Sequence, residues 1–289
     1  MHDPFDPHHL FEHVQDSDHF ELPRALGGKV KLPQPLMTSE PIFHGYGSLQ
    51  PLDLKFTKFM VLEVVAAIII AAIFIRLANL LKSGKSPTGR FWNLFESMLL
   101  FIRDQVARPA IGKHDAERFL PFLWTLFFFV LMCNLLGLLP WAGSATGALA
   151  TTASLALMTM CVVVGSGMSK LGPVGFWKAQ VPHMELPSRI LGFFLWIGIF
   201  LIEVMGLAIR HFVLAIRLLA NMMAGHLVLA VIVGFIAASA GSVAWYGVAP
   251  ITVLGAVALS LLELFVAFLQ AYIFTFLAAL FIGMAVHPH

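Results

Sequence analysis

Residues 203–226 form a strongly apolar run, EVMGLAIRHFVLAIRLLANMMAGH, that nevertheless carries Glu203, Arg210, His211, Arg217, Asn221 and His226. Carboxylate, guanidinium and imidazole groups on one apolar helix are the means of charge pairing and proton transfer. An arginine at membrane depth costs at least about 2.5–3.5 kcal/mol. Two of them in one run need a polar cavity, a partner charge or an ion path. At about 100° per residue, groups seven apart drift only about 20° around a helix. Glu203, Arg210 and Arg217 have that spacing, and Asn221 and Ala224 prolong the same stripe. His226, nine residues after Arg217, falls on the opposite face. The helix so read offers a fixed positive charge to one side and a titratable ring to the other. A second polar pair, Glu263 and Gln270, is again seven apart and lies in a separate apolar run.

The elements that hold these groups follow from composition. The chain has 289 residues, 59% hydrophobic and 12% charged, with a mean hydropathy of +0.86. That is the composition of an all-α polytopic membrane protein, not of a soluble domain. A net charge of +2 gives no sign of a nucleic-acid partner. Cys133 and Cys161 each sit inside an apolar run and read as small core residues, not as a disulfide framework. No cofactor is implied.

Residues 1–55 read as a polar, His-rich extension. They lack the basic flank and apolar core of a signal peptide. His2, His8, His9, His13 and His19 have neither a Cys partner nor HExxH spacing, so they read as solvated groups and not as a metal site. A short amphipathic piece is expected over residues 10–19. The membrane domain, residues 56–289, begins with a span over 56–81, flanked within by Glu63 and Arg76. Residues 82–118 are basic, with Lys82, Lys85, Arg90, Arg103, Arg108, Lys113 and Arg118. Inside them FWNLFESMLLFIRDQVARPAIG predicts an amphipathic interfacial helix that ends before Pro109. The basic excess puts this connection on the cytoplasmic side and the N-terminus outside.

A second span covers 119–139 and contains Asn134, whose amide needs partners wherever it is buried. A third covers 147–168, rich in Ala, Ser and Thr and so suited to close helix packing. The loop 169–189 is basic again and interrupted by proline. Residues 187–239 are almost continuously apolar, about fifty residues where a span needs about twenty. Two spans with a turn near Arg210, or one long tilted helix, both satisfy the hydropathy. Residues 250–285 have the same excess length.

RLLANMMAGH (217–226) followed by ELFVAFLQAYIF (263–274) resembles the signature of subunit a of the F-type ATP synthase, the membrane stator that conducts protons past the rotating c-ring. The resemblance makes Arg217 the essential arginine, Asn221 the asparagine that follows it, His226 and Glu263 the two channel positions, and Gln270 the glutamine. Many bacterial members place a carboxylate at the first channel position and His at the second; here the two are exchanged. Glu203 and Arg210 match upstream acidic and basic positions. Asn134 with Leu138-Leu139-Pro140 resembles the end of the family's second span, where members often carry an acidic residue in place of Gly137. The similarity covers residues 119–140 and 188–285.

The resemblance implies five crossings, with the last two long helices forming a tilted hairpin against the c-ring. The partners implied are the c-ring, the peripheral-stalk b subunits, the remaining ATP synthase subunits and the lipid bilayer. It implies a non-catalytic subunit of a bacterial inner membrane. Arg keeps its proton at physiological pH, so Arg217 favours ionisation of a carboxylate brought near it and separates two offset half-channels. His226 and Glu263 suit the outer half-channel, Glu203 and Arg210 the cytoplasmic one. Two other classes compete. An ion-coupled transporter or antiporter often shows internal repeats, and none is evident. A membrane enzyme would need a motif such as HExxH or GxSxG with a matched His, and neither occurs.

Overall fold

The computed structural model describes residues 17, 19–21, 29–32, 57–82, 89–139, 143–181 and 189–287. The elements in order are strands β1 (His19–Glu21) and β2 (Lys29–Lys31), then helices α1 (Lys58–Lys82), α2 (Arg90–Phe101), α3 (Arg108–Ile111), α4 (Ala116–Gly137), α5 (Leu149–Leu171), α6 (Pro173–Ala179), α7 (Arg189–Ser239) and α8 (Trp245–Val286). The two strands pair antiparallel, Phe20 opposite Val30. His2, His8, His9 and His13 lie outside the described residues. His19 is in β1, so that end of the expected amphipathic piece is strand, and residues 10–16 are outside the description. Apart from this hairpin the described chain is helical.

Five helices are long and apolar enough to cross a membrane: α1, α4, α5, α7 and α8. The chain is a multi-pass membrane protein. Between its two end turns a helix satisfies its backbone groups internally, which is why hydrocarbon admits this architecture. The ambiguity at 187–239 resolves to one helix of 51 residues, with no turn at Arg210. Such a helix is roughly 75 Å long, more than twice the about 30 Å of a hydrocarbon core, so an upright crossing would leave more than half of this apolar helix outside the hydrocarbon. A five-residue connection over 240–244, in which Gly241 has a φ of 85°, joins α7 to α8.

Contacts divide the chain into two units. The first comprises Met1–Ala71, Met132–Ala148 and Ala220–Ala267. Its core packs Phe59 and Leu62 of α1 against Ala145. Gly143 has a φ of 72°, and a Cβ there would lie 2.9 Å from the Phe59 ring, so conformation and space both call for glycine.

The second unit comprises Ala72–Leu131, Leu149–Leu219 and Phe268–His289. Phe74, Phe95 and Phe128 cluster with centroids 4.7–6.0 Å apart, and Trp124 Nε1 donates to the Leu99 carbonyl at 3.0 Å. The amphipathic segment departs from expectation at Pro109. It does not stop there. Residues Ile102–Ala107 widen into a π-helix, in which the Arg108 amide reaches back to the Arg103 carbonyl. The wider turn gives a proline ring room, and proline has no amide to leave unpaired. The helix then runs to Ile111 and ends at Gly112, with a φ of 102°. Gly283 of α8 lies against the Ala110 carbonyl so closely that a Cβ would overlap it.

The polar rim of this unit is a set of ion pairs. Arg108 bridges Asp104 and Glu117, each at 2.7 Å. Asp115 takes Lys170 at the end of α5 and His287 past the end of α8. The hydrogen bond from Lys170 holds the Asp115 carboxyl below the usual carboxylate range, opposed by partial desolvation. A depressed carboxyl pKa contributes stability above the unfolded value of 3.8 and loses it as pH falls through the lower folded value. Asp115→Asn should therefore lower the melting temperature in detergent slightly at neutral pH, with the difference shrinking in high salt; equal melting at low salt would contradict the tie. Gly283→Val should cost about 1–3 kcal/mol by overpacking against backbone that cannot yield. Thermal unfolding of the purified protein measures it.

Candidate functional site

In the first unit the C-terminal part of α7 and the N-terminal part of α8 enclose a cavity of about 220 Å³. Asn221, Ala224, Gly225 and His226 line it from α7, Glu263 from α8, and Leu138 from the end of α4. His226, expected on the face opposite the Arg217 stripe, lines the same cavity as Asn221 and Ala224 of that stripe, so the cavity reaches around more than one face of α7. Asn221, Ala224 and Gly225 are three and four residues apart and so share a face, and the short 240–244 connection folds α8 back alongside α7. Most of the remaining lining is aliphatic.

Two buried polar atoms belong to this cavity's side chains. Neither His226 Nε2 nor Glu263 Oε1 has a hydrogen-bond partner among the described residues. Buried polar atoms normally find a partner in protein or water. The cavity volume exceeds what one water needs, and the carboxylate and imidazole supply polar anchors. The arrangement suits reversible protonation and water-borne exchange between a carboxylate and an imidazole.

Gly225 is the residue that sequence reasoning missed. A Cβ on it would overlap the Glu263 carboxylate, with Glu263 Cδ at 3.0 Å. A glycine in mid-helix costs about 1 kcal/mol relative to alanine, and that penalty was the available signal. Ala224 is exposed and lines the cavity. A Cβ on Gly206 would meet only Arg210 of its own helix, at 3.5 Å.

Asn134 is fully buried. Its Nδ2 donates to the Ala267 carbonyl at 3.3 Å, and its Oδ1 accepts from Thr146 Oγ1 at 2.8 Å.

The other predicted residues belong to the second unit. Glu203 and Arg210 form an ion pair at 3.4 Å, both side chains more than a third exposed. Arg217 is exposed and makes no hydrogen bond or ion pair with another described residue. His211, by contrast, is buried against Phe281, its Nδ1 2.8 Å from the Leu207 carbonyl. Gln270 is buried. Glu263 and Gln270, seven apart on one helix, thus fall in different units, the first half-buried and the second enclosed. Among the described residues no group of three or more His, Cys, Asp or Glu could hold a metal ion.

Residues 60–283 match the family described as ATP synthase A chain. The chain is 41% identical over 241 residues to ATP synthase subunit a of Myxococcus xanthus, covering 82% of this chain and 76% of the relative. It is 42% identical over 237 residues to ATP synthase subunit a of Chloroherpeton thalassium, covering 81% and 67%. A relative from Prosthecochloris aestuarii, ATP synthase subunit a 2, is 34% identical over 284 residues, covering 94% and 84%. A single polar cavity between two helices could arise in many transporters. With a family match across nearly the whole helical region, the chain belongs to the ATP synthase subunit a family.

Proposed function

We propose that this chain is the stator subunit of a proton-translocating F-type ATP synthase, presenting two offset half-channels to the carboxyl groups of a c-ring. Its partners are the c-ring, the peripheral-stalk b subunits and the remaining subunits of the complex. It resides in a bacterial inner membrane, with the polar residues 1–55 outside and the C-terminus cytoplasmic, an orientation that five candidate spans and the basic excess of residues 82–118 and 169–189 support.

The observation that carries this reading is the cavity into which His226 and Glu263 bring buried polar atoms that have no hydrogen-bond partner among the described residues. These two groups relay protons in the outer half-channel, with Asn221 and Asn134 beside them. Protons then reach a c-subunit carboxylate, which lipid keeps neutral while it travels. Arg217 makes that carboxyl group give up its proton. It is a permanent cation, exposed on an apolar helix and without a hydrogen-bond or ion-pair partner among the described residues. A guanidinium does not pass a proton on, so Arg217 separates the two paths and prevents direct leakage. The Glu203–Arg210 pair and Gln270 serve the path to the other side. The drive is about 2.3 kcal/mol per charge for each 100 mV, so several protons pass for each ATP made.

Arg217→Ala should abolish ATP-driven proton pumping in vesicles carrying the whole complex, while the soluble head still hydrolyses ATP and the complex stays assembled. Normal pumping would remove the basis of this reading. Glu263→Gln keeps the shape but cannot cycle between charged and neutral forms, and should stop pumping in the same assay. The purified chain reconstituted alone should move no protons down an imposed gradient, whereas a transporter would.

A further inference from the structure

Four polar groups next to the cavity form a chain whose direction follows from donor counting. The Ala267 carbonyl can only accept, so Asn134 must turn its amide nitrogen toward it, at 3.3 Å. The Asn134 oxygen then faces Thr146 Oγ1, which donates to it at 2.8 Å. A threonine hydroxyl has one hydrogen. The 3.0 Å contact between Ser144 Oγ and Thr146 Oγ1 must therefore be a donation from Ser144. The order is Ser144 to Thr146 to Asn134 to the α8 backbone, and none of these groups is more than 1% exposed. An amide nitrogen neither takes up nor releases a proton at working pH, so the chain ends as a fastening.

The fastening sits one turn from the cavity on both helices. Ala267 is four residues after Glu263, and Asn134 is four before the cavity-lining Leu138. Gly137, three residues after Asn134 on α4, lies against Ser144 at the head of the network. A Cβ there would stand 2.7 Å from Ser144 Oγ, 2.9 Å from Ser144 Cβ and 2.9 Å from Met222 Cε. In this chain the serine occupies the space that a side chain at 137 would take.

We propose that Ser144, Thr146 and Asn134 are positioning residues that fix α8, and with it Glu263, against the end of α4, and that Gly137 and Ser144 are a size-coupled pair. The proposal rests on Glu263 being a channel residue. Any side chain at 137 displaces Ser144, breaks the donor chain at its first link and lets α8 shift at the cavity.

The test is ATP-driven pumping by the complete enzyme in vesicles, scaled to the amount of assembled complex. Gly137→Ser should lower the rate roughly fivefold or more, the factor that loss of one buried hydrogen bond entails; adding Ser144→Gly frees the space 2.7 Å from the Cβ at 137, so the hydroxyl at 137 takes the place of the Ser144 hydroxyl as donor to Thr146 and should restore the rate. Thr146→Val, which keeps the shape and removes the hydroxyl, should lower the rate comparably, and Thr146→Ser should retain it. Wild-type pumping by Gly137→Ser, or by Thr146→Val, overturns the proposal. So does a double variant no better than Gly137→Ser alone. If Gly137→Ser fails to assemble, the Thr146 pair decides. Glu263→Gln runs alongside: its normal pumping would overturn the channel reading itself, whereas its loss together with an active Thr146→Val overturns the fastening alone.

Discussion

A polar group inside hydrocarbon must have a partner or a route to water, and the rest of this structure answers to that constraint. The backbone meets it by being helical almost throughout the described chain. The side chains meet it in three ways. Asn134 uses both ends of its amide in fixed hydrogen bonds. Glu203 and Arg210 neutralise each other. His226 and Glu263 line a common cavity with buried atoms that have no hydrogen-bond partner among the described residues. Only the last way leaves buried polar atoms facing a cavity with room for water.

Close helix approach makes that cavity possible. Gly225 lets the Glu263 carboxylate lie against the α7 backbone, and Gly137 lets the 143–147 connection press onto α4. In lipid no hydrophobic force drives helices together, so small residues and buried hydrogen bonds set their spacing. The second unit shows the same logic without a cavity: Gly283 meets the Ala110 carbonyl, and Phe176 fills the space beside Gly167. There the result is packing, completed at the edge by exposed ion pairs around Asp104, Arg108 and Asp115. Those pairs are screened by water and salt and contribute little individually.

The composition and the seven-residue spacings of Glu203, Arg210, Arg217, Glu263 and Gln270 were legible in the sequence. They sufficed for the all-α membrane class, because apolar length and helical phase are properties of the chain alone; the family came from the resemblance of RLLANMMAGH and ELFVAFLQAYIF to its signature. The helical bounds followed within a few residues for the same reason. Three things were not legible. Hydropathy does not distinguish one long helix from two joined spans, and α7 was decided by unbroken backbone hydrogen bonding through Arg210. Proline marks a break on average, and the π-helix before Pro109 absorbed it. A shared helical face does not make shared surroundings. Glu263 borders a cavity while Gln270 is enclosed, because burial depends on which neighbours a third helix and a loop supply. The donor order from Ser144 to Ala267 also joins segments more than a hundred residues apart, and no local pattern encodes such a contact. The sequence determined which groups could carry charge; only tertiary packing decided which of them would be fastened and which would be left facing a cavity.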